Sequence, residues 1–367
     1  MHAGPRDATR PTHLRSRASF DHSPMLVFYE LTRACDLVCL HCRACAQSRP
    51  DPRELSTQQS KRLIDELTRF PSPPMLVLTG GDPLKRRDIF QLIEHAVESG
   101  IEVSITPSAT PLINRDSISR LRRAGISRMA ISIDGADAAT HDANRGVAGS
   151  FDRSLEALRI ARQEGVQSQV NTTLTPANVG QIGAIAGLCD TLGIALWSVF
   201  FLIPVGRAAG MQRLDAQECE EAFGLLLQES RRRSYMVKTT EAPHYRRYVI
   251  QNASNRGAPT APRGFIPAGV NDGKGVMFVS HTGEVFPTGF LPVRCGRFPA
   301  DSLVEVYQRS PTFKTLRDPR QLRGKCGVCE FRNVCGGSRA RAFGATGDMM
   351  AEEPDCVYIP PAYQGTA

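Results

Sequence analysis

The chain contains 367 residues, of which 41% are hydrophobic and 22% charged, so it is long enough to bury a large core and to form two units. Its 45 lysines and arginines outnumber 37 acidic residues, which gives a formal charge of +8. The longest apolar run, residues 194–204, is too short to span a bilayer. We therefore expect an enzyme-sized protein that does not cross a membrane.

The first 24 residues form a polar, basic segment that lacks the apolar core of a secretory signal. Part of the excess positive charge lies here, on Arg6, Arg10, Arg15 and Arg17. We predict that residues 1–24 are a disordered basic arm. Binding of nucleic acid is the weaker alternative for such an arm, and we expect no nucleic-acid partner.

Strand and helix patterns alternate six times after the arm. Apolar runs predict strands at 25–31, 75–78, 102–106, 128–133, 167–174 and 195–204, and amphipathic periodicity predicts helices at 57–69, 88–99, 115–124, 150–164 and 179–192. This alternation predicts parallel βα units with right-handed crossovers. The expected fold class is α/β, a partial (β/α)6 TIM-like barrel over residues 25–210. In such folds, ligands bind at the carboxyl ends of the strands.

The pattern changes after residue 210. A helix at 216–231 is followed by a loop-rich stretch with several prolines, and we predict that residues 211–274 link two units. A hairpin is predicted between Gly275 and Phe286, with its turn at residues 281–283. Residues 275–367 are predicted to form a small C-terminal module stabilised by metal.

Three cysteines follow the first predicted strand directly, in the spacing Cys35-x-x-x-Cys39-x-x-Cys42. Three thiolates this close can bind one face of a cubane iron–sulfur cluster and leave one iron without a protein ligand. An iron with an open position is available for chemistry. A structural zinc site that recruits Cys45 is the alternative.

A second cysteine group near the C-terminus consists of Cys326, Cys329, Cys335 and Cys356. Its C-x-x-C start is typical of a metal site, which could hold zinc or an iron–sulfur cluster. Eleven cysteines in a long chain without a secretory signal favour metal binding over disulfides, and hence a cytoplasmic location. Cys189 and Cys219 lie in helical patterns and are predicted to be inert core thiols.

The first cysteine group resembles that of the radical SAM superfamily, whose members bind a [4Fe–4S] cluster and S-adenosyl-L-methionine (SAM). The resemblance extends to Gly80-Gly81-Asp82-Pro83, which is similar to the family's Gly-Gly-Glu-Pro turn, and to residues 131–146. It implies that SAM is cleaved reductively to a 5′-deoxyadenosyl radical, which abstracts hydrogen from a substrate. It also implies cluster ligands Cys35, Cys39 and Cys42 and SAM contacts from His41, Gly80, Gly81, Asp82, Ser108, Ser132, Arg145, Asn171 and Leu202.

The same resemblance implies roles for single residues. His41 would pack against the adenine of SAM, the alternative being a surface histidine, and backbone atoms around Leu202 would also contact adenine. Ser132 and Arg145 would hold the ribose and the methionine carboxylate, since a fixed guanidinium suits a carboxylate. The alternative for Arg145 is a surface ion pair with Asp142.

The second cysteine group resembles the SPASM, or twitch-like, extension of radical SAM enzymes that mature peptides and cofactors. That extension holds auxiliary [4Fe–4S] clusters. Members with two such clusters carry further cysteines where this chain has Gly336-Gly337-Ser338 and Phe286-Pro287-Thr288, so we predict one auxiliary cluster and not two. The remaining nearby thiol, Cys295, is a candidate catalytic residue that could donate a hydrogen atom or bind substrate; the alternative is a buried thiol.

Residues 335–342 and 239–247 are similar to the tetrapyrrole-modifying branch, which includes enzymes of the alternative heme and heme d1 pathways. Arg246, Arg247 and Arg339 would pair with acidic side chains of the substrate or serve a structural role. The block Glu54-Leu55-Ser56 also resembles the mycofactocin and pyrroloquinoline-quinone peptide maturases.

We therefore expect a radical SAM enzyme that acts on a tetrapyrrole side chain. The alternatives are maturation of a ribosomal peptide and transfer of a SAM-derived group to another small molecule. The implied partners are a substrate of one of these kinds and an electron donor such as flavodoxin or ferredoxin. A zinc-stabilised binding protein is the non-enzymatic alternative.

Overall fold

The structure, a computed structural model, describes residues 20–254 and 269–365. Within these ranges the strands are Leu26–Glu30 (β1), Met75–Thr79 (β2), Val103–Ile105 (β3), Arg128–Ser132 (β4), Ser168–Leu174 (β5), Leu196–Phe201 (β6), Met236–Thr240 (β7), Val276–Val279 (β8), Glu284–Phe286 (β9) and Gly296–Arg297 (β10). The helices are Thr57–Leu67 (α1), Ile89–Glu98 (α2), Arg115–Ala124 (α3), Ala138–Arg145 (α4), Ser150–Gln163 (α5), Ile182–Leu192 (α6), Ala216–Arg232 (α7), His244–Ser254 (α8), Leu303–Arg309 (α9), Pro311–Arg317 (α10), Gly324–Val328 (α11) and Arg339–Thr346 (α12).

One sheet joins all ten of these strands, in the order β10-β9-β8-β1-β2-β3-β4-β5-β6-β7. The strands from β8 to β7 along this order are parallel, and β9 and β10 are antiparallel to their neighbours. Consecutive strands from β1 to β7 lie side by side, with one or two helices in each crossover. The predicted α/β partial barrel is confirmed.

Alternating burial shows which face of the sheet the helices cover. Along β5, every second residue from Ser168 to Leu174 is buried, whereas Gln169, Asn171 and Thr173 are only partly buried. Because side chains alternate between the faces of a strand, the first set packs outward against the helices and the second faces the inside of the barrel. The main hydrophobic core therefore lies between sheet and helices, and the inner face keeps polar groups for a ligand.

Helix ends follow the local capping signals of the sequence. The predicted N-cap of α1, Ser56, is confirmed: its side chain accepts from the backbone N–H of Gln59, and the Gln59 side chain accepts from the Ser56 N–H. The predicted range of α3 is also confirmed, with Asn114 capping its start and Gly125 ending it in a left-handed conformation (φ 96°).

The prediction of a loop-rich stretch after α7 was wrong for residues 236–254. They form β7, which extends the parallel sheet beyond β6, and then α8. The apolar signal of β7 is weak, because Val237 is its one buried residue. Helix α4 was also missed, because its buried residues are the polar His141 and Asn144 and the segment has no apolar period.

The predicted N-terminal arm lies largely outside the described residues. Its last part, residues 20–24, packs on the molecule: the Tyr307 hydroxyl donates to the Phe20 carbonyl (2.7 Å), and Gln308 donates to the His22 carbonyl (2.9 Å). Among the described helices, none has the length and apolar character needed to cross a membrane.

The predicted C-terminal hairpin is confirmed as β8 and β9. Strand β8 pairs in parallel with β1, so the part of the chain after residue 274 begins inside the barrel sheet instead of in a separate unit. A second small core follows, formed by Ile203, Leu291, Leu316, Leu322, Ala340 and Met350. Ile203 comes from the loop after β6, so this core is continuous with the mouth of the barrel.

Candidate functional site

The cysteine loop (residues 35–47) lies against the turn that follows β2. The backbone N–H of Gly81 donates to the Thr32 carbonyl, and that of Asp82 to the Ala34 carbonyl, both at 2.7 Å. A Cβ atom at Gly80 or Gly81 would lie 2.4 Å from a carbonyl oxygen of this segment. The two glycines therefore let the turn approach the start of the cysteine loop closely.

Two further elements hold the same loop. At the end of α4, the Val38 N–H donates to the Arg145 carbonyl (3.2 Å). In the turn after β6, the Arg207 N–H donates to the Cys42 carbonyl (3.0 Å), and a Cβ at Gly206 would lie 2.3 Å from the Arg43 carbonyl oxygen. The loop is thus fixed by the carboxyl ends of β2 and β6 and by the crossover after β4.

An ion-pair network joins the cysteine loop to β1 and the C-terminal hairpin. The fully buried Glu30 carboxylate accepts from Arg43 (2.6 Å) and contacts Nδ1 of His281 in the hairpin turn (2.7 Å). The Arg43 guanidinium also lies 4.5 Å from the centre of the Phe278 ring. The position of the loop therefore depends on the hairpin as well as on the barrel.

The three predicted cluster ligands lie together in this loop. Cys35 and Cys39 are buried and Cys42 is half-buried, within one small apolar cluster. Arg145 Nη1 lies 3.7 Å from Cys39 Sγ, and Arg207 interacts with the Cys42 thiol. Burial raises the pKa of the Cys35 thiol, and binding of iron requires each cysteine as a thiolate.

A buried carboxylate, Asp134 at the end of β4, organises the polar side of the site. Its Oδ2 lies 2.6 Å from Arg145 Nη2 and 3.4 Å from His41 Nε2. Although burial opposes ionisation, Arg145 and His41 hold the pKa of Asp134 below its ordinary value. His41 is itself nearly buried, and burial lowers its pKa, so the alternative of a surface histidine does not hold.

The surface ion pair between Arg145 and Asp142 is not found. Asp142 accepts instead from the backbone N–H groups of Gly149 and Phe151 and from the Ser150 hydroxyl, at the start of α5. Arg145 therefore pairs with Asp134 and contacts the cysteine loop, where its guanidinium can also bind a carboxylate of a bound ligand.

A cavity opens beside the cysteine loop at the carboxyl ends of β2, β3 and β4. Five of the predicted SAM contacts line it: Gly80, Gly81, Ser108, Ser132 and Arg145. The Ser108 hydroxyl donates to the Gly81 carbonyl (2.9 Å) and lies 3.4 Å from Cys35 Sγ, which joins the cavity to the cysteine loop.

The other predicted SAM contacts do not line this cavity. Asp82 is fully buried and accepts from the Thr110 hydroxyl (2.7 Å) and the Leu84 N–H (3.1 Å), so it shapes the turn. Asn171 is the register partner of Ser132 on β5, and Leu202 is buried after β6. His41 reaches Asp134 from the cysteine loop.

The sequence analysis missed His141 as a cavity residue. It is fully buried, and its Nδ1 accepts from the Asp134 N–H (3.1 Å), so the proton lies on Nε2, which has no hydrogen-bond partner among the described residues. Burial lowers its pKa to about 4, which keeps the ring neutral. The His141-Asp142 pair was visible in the resemblance, but α4, which aims the ring, was not.

The second cysteine group lines another cavity. Cys326, Cys329, Cys335 and Cys356 all contribute to its wall. Backbone N–H groups of Glu353 and Gly337 point at Cys326 (3.3 Å) and Cys335 (3.4 Å). The structure thus brings together four cysteines that span 31 positions of the chain.

The three predicted substrate arginines have partners in the protein. Arg246 donates to the Val334 and Val270 carbonyls, and the buried Arg339 donates to carbonyls of residues 337, 349 and 351. Arg247 pairs with both oxygens of Glu220 and approaches Cys356 Sγ (3.8 Å). These contacts support a structural role for the three arginines and not pairing with the substrate.

The remaining thiols lie apart from both cavities. Cys295 precedes β10, where its N–H donates to the Val285 carbonyl and its thiol contacts the Val293 carbonyl (3.4 Å), and it packs against the main core. The structure therefore does not bring this candidate catalytic residue to either cavity. Cys45 is exposed, and Cys189 and Cys219 are buried in α6 and α7.

Both cysteine sets fit iron–sulfur clusters by their donor chemistry. The first set lies in one loop with Arg145 and Arg207 beside it, and the second set lines one cavity with backbone N–H groups pointing at its thiols. Such cationic and N–H groups neutralise or hydrogen-bond the sulfurs of a cluster. In the part of the chain that the structure describes, no three His, Cys, Asp or Glu side chains surround a position for a single metal ion. A cubane does not need that arrangement, because each cysteine binds its own iron.

In the comparison with known families, residues 29–188 match the model of the radical SAM superfamily. The matched range begins in β1 and ends in α6. It contains the cysteine loop, the Gly80-Gly81 turn and Arg145.

Whole-chain relatives extend this similarity. The chain is 41% identical to an AdoMet-dependent heme synthase of Nitratidesulfovibrio vulgaris, with 95% of this chain and 97% of the relative covered. It is 31% identical to a pre-heme d1 synthase of Dinoroseobacter shibae (93% and 88% covered) and 31% identical to the mycofactocin maturase MftC of Mycobacterium ulcerans (92% and 90% covered).

Solved structures share the fold. Streptococcus suis SuiB bound to S-adenosylmethionine superimposes with a TM-score of 0.72 at 16% identity, covering 91% of this chain and 77% of that one. The enzyme anSMEcpe with bound AdoMet superimposes with a TM-score of 0.69 at 14% identity, covering 91% and 94%.

Proposed function

The chain belongs to the radical SAM superfamily and is a radical SAM enzyme, and on this premise we propose that it acts on the propionate side chains of an iron porphyrin. The observation that carries the proposal is the 41% identity, over nearly the whole of both chains, to enzymes named AdoMet-dependent heme synthase. Identity to the mycofactocin maturases is 29–31%.

The names of two kinds of relative define a chemical step. One is named for making Fe-coproporphyrin III and another for making heme. Heme carries vinyl groups at positions where coproporphyrin carries propionates. Each such conversion removes one hydrogen atom, one CO2 and one electron from a propionate side chain.

The radical SAM family implies a [4Fe–4S] cluster and SAM as cofactors. When bound, they supply a 5′-deoxyadenosyl radical that can remove the hydrogen atom. We assign Cys35, Cys39 and Cys42 as the cluster ligands. Arg145 and Ser132 contact SAM at the cavity wall, Gly80, Gly81 and Ser108 shape that wall, and Asp134 holds Arg145 in place.

Cys326, Cys329, Cys335 and Cys356 hold one auxiliary [4Fe–4S] cluster in this proposal. Four thiols at one cavity, with Arg247 close to Cys356, suit such a cluster. It would take up the electron that leaves the substrate. The thiols must lose their protons to bind iron, and burial raises the pKa of Cys326 to about 11.

A reductant and a substrate are partners that radical SAM chemistry requires, and we propose flavodoxin or ferredoxin as the reductant. We also propose a cytoplasmic location, because a reducing compartment keeps the cluster-binding cysteines as thiols. We also propose that residues 275–367 form the SPASM-like part, although their first strand, β8, lies in the barrel sheet.

A second candidate substrate is a ribosomal peptide. Identity of 31% to a mycofactocin maturase over most of both chains favours it, and SuiB, whose fold this chain shares, has been solved with its precursor peptide. Peptide maturation would use the same two cysteine sites.

The test is an anaerobic reaction of the reconstituted chain with dithionite, SAM and iron coproporphyrin III, followed by mass spectrometry. We expect 5′-deoxyadenosine and a porphyrin that has lost the elements of formic acid from each converted side chain. The Cys42→Ala variant should give neither product. If wild-type protein cleaves SAM but leaves the porphyrin unchanged, the substrate proposal fails while the superfamily assignment stands.

A further inference from the structure

The inner wall of the barrel carries a lysine in the same row as the proposed SAM contacts. Ser132 is in register with Asn171, Asn171 with Ser198, and Ser198 with Lys238 on β7. Side chains in register on neighbouring strands point to the same face of a sheet. Since Ser132 lines the cavity, Lys238 faces the inside of the barrel, three strands away from Ser132.

An arginine faces the inside of the barrel near it. Arg128 lies four residues before Ser132 on β4, and an even spacing puts both side chains on one face. The residues between them, Met129 and Ile131, belong to the outer core. Arg128 therefore lies deeper in the barrel than Ser132 and close enough to Lys238 to act on its charge.

Neither cation has a partner in the described part of the protein. The side chains of Lys238 and Arg128 make no hydrogen bond and no ion pair there, and Arg128 Nε is buried. The nearby acid, Glu102, acts on Arg128 only through space. Burial, together with Arg128, lowers the pKa of Lys238 to about 8, so its positive charge is poorly stabilised.

Three other buried arginines of this chain each have an acidic partner. Arg145 pairs with Asp134, Arg247 with Glu220 and Arg341 with Glu353. Two partly buried cations that repel each other destabilise the protein unless an anion joins them. Both cations lie on the inner face of the barrel, with Arg128 at the amino end of β4 and Ser132 at its carboxyl end, so a substrate that reaches both the cations and SAM would extend along the inner wall.

We propose that Lys238 and Arg128 bind carboxylate groups of the substrate on the inner wall of the barrel. The proposal rests on the function above, in which the substrate is an iron porphyrin with several propionates. Arg128 can hold a carboxylate through paired N–H donors, and Lys238 supplies a second positive charge from β7. Carboxylates held here would fix the orientation of the ring relative to SAM.

The experiment measures binding of iron coproporphyrin III to the full reconstituted chain by absorbance titration. We expect Lys238→Met and Arg128→Met each to weaken binding by about 10- to 100-fold, because each removes a charged hydrogen bond. Lys238→Arg should restore most of the affinity. The tetramethyl ester of the same porphyrin lacks free carboxylates and should bind the wild type and Lys238→Met equally. The control variant is Lys314→Met, at an exposed lysine of α10. Iron content and circular dichroism verify folding.

A folded Lys238→Met variant that binds the free acid as tightly as the wild type would overturn the carboxylate site and leave the proposed function intact. A test with glutarate, a small dicarboxylate, shows whether the carboxylate site can stand when the porphyrin proposal fails. If the wild type does not bind the porphyrin, but glutarate raises its melting temperature and does so only when Lys238 is present, the site stands and the porphyrin proposal fails. If glutarate has no effect on the wild type either, both proposals fail.

Discussion

Asp134 connects the cofactor side of the site to the barrel. Its carboxylate meets Arg145 and His41, its N–H donates to His141, and its Oδ1 accepts from the Thr173 N–H on β5 (2.8 Å). A single buried residue thus contacts three side chains around the proposed SAM cavity. This explains why the polar wall can be rigid although its residues come from a loop, a strand and a helix.

Glu30 is the second buried carboxylate on which the cysteine loop depends, and its effect should depend on pH. Burial opposes its ionisation, but Arg43, the His281 hydrogen bond and Arg33 outweigh burial and lower its pKa from 4.5 to about 2. The stabilisation is therefore complete above pH 4.5 and is lost as the pH falls towards 2. We expect Glu30→Gln to lower the free energy of unfolding at pH 7 by roughly 1–3 kcal/mol.

The measurement is urea-induced unfolding of the cluster-free wild type and Glu30→Gln between pH 7 and pH 3. The difference between the two proteins should shrink as the pH falls below 4.5. An exposed carboxylate, Asp116 of α3, provides the control, because Asp116→Asn should have nearly the same free energy of unfolding as the wild type at each pH. A difference that stays constant over this range would contradict the assignment.

At the scale of elements, the turn after β2 should be intolerant of a single methyl group. Gly81→Ala would place Cβ 2.4 Å from the Ala34 carbonyl oxygen, so the turn and the cysteine loop must separate. We expect this variant to lose the iron of the N-terminal site and the cleavage of SAM. Iron analysis and 5′-deoxyadenosine formation measure the two effects.

Gly183→Ala on α6 is the matched control. A Cβ there meets no atom within 4 Å, and alanine favours a helix, so we expect a gain of about 0.4–1 kcal/mol in stability and no loss of iron. Normal iron content in Gly81→Ala would show that the close approach is unnecessary.

Local sequence patterns predicted the elements with strong signals of their own. The range of α3 follows from its caps, and β5 follows from its alternation. β7 could not be predicted in this way, because as an edge strand it buries Val237 alone, and its pairing with β6 is a tertiary effect. The same limit applies to the site. The spacing of the cysteines predicted that they bind metal, but it could not predict that His141 lines the cavity or that Arg145 pairs with Asp134.

At the scale of the whole molecule, the two cysteine sites should be separable. We expect about eight irons per chain in the reconstituted wild type, if each site holds one [4Fe–4S] cluster. Cys329→Ala should lose about half of this iron and still cleave SAM, whereas Cys42→Ala should lose a similar amount and not cleave it. Anaerobic iron analysis together with 5′-deoxyadenosine formation distinguishes the two variants.

Cys189→Ala is the control, since this thiol is buried in the core of α6 and should hold no iron. Zinc without iron in the wild type would contradict both cluster assignments. Loss of all iron in Cys329→Ala would show that the two sites do not assemble independently.

The pairing of β1 with β8 also constrains how the protein is made. Leu26 is in register with Val276, so the edge of β1 stays open until about 250 further residues have left the ribosome. At about 5–20 residues per second, this takes on the order of ten seconds or more. His281 and Phe278, which hold Arg43 of the cysteine loop, arrive equally late. The first three cysteines are thus synthesised long before the strand and turn that complete their surroundings, so we expect iron to be delivered only after β8 and the hairpin turn have been made.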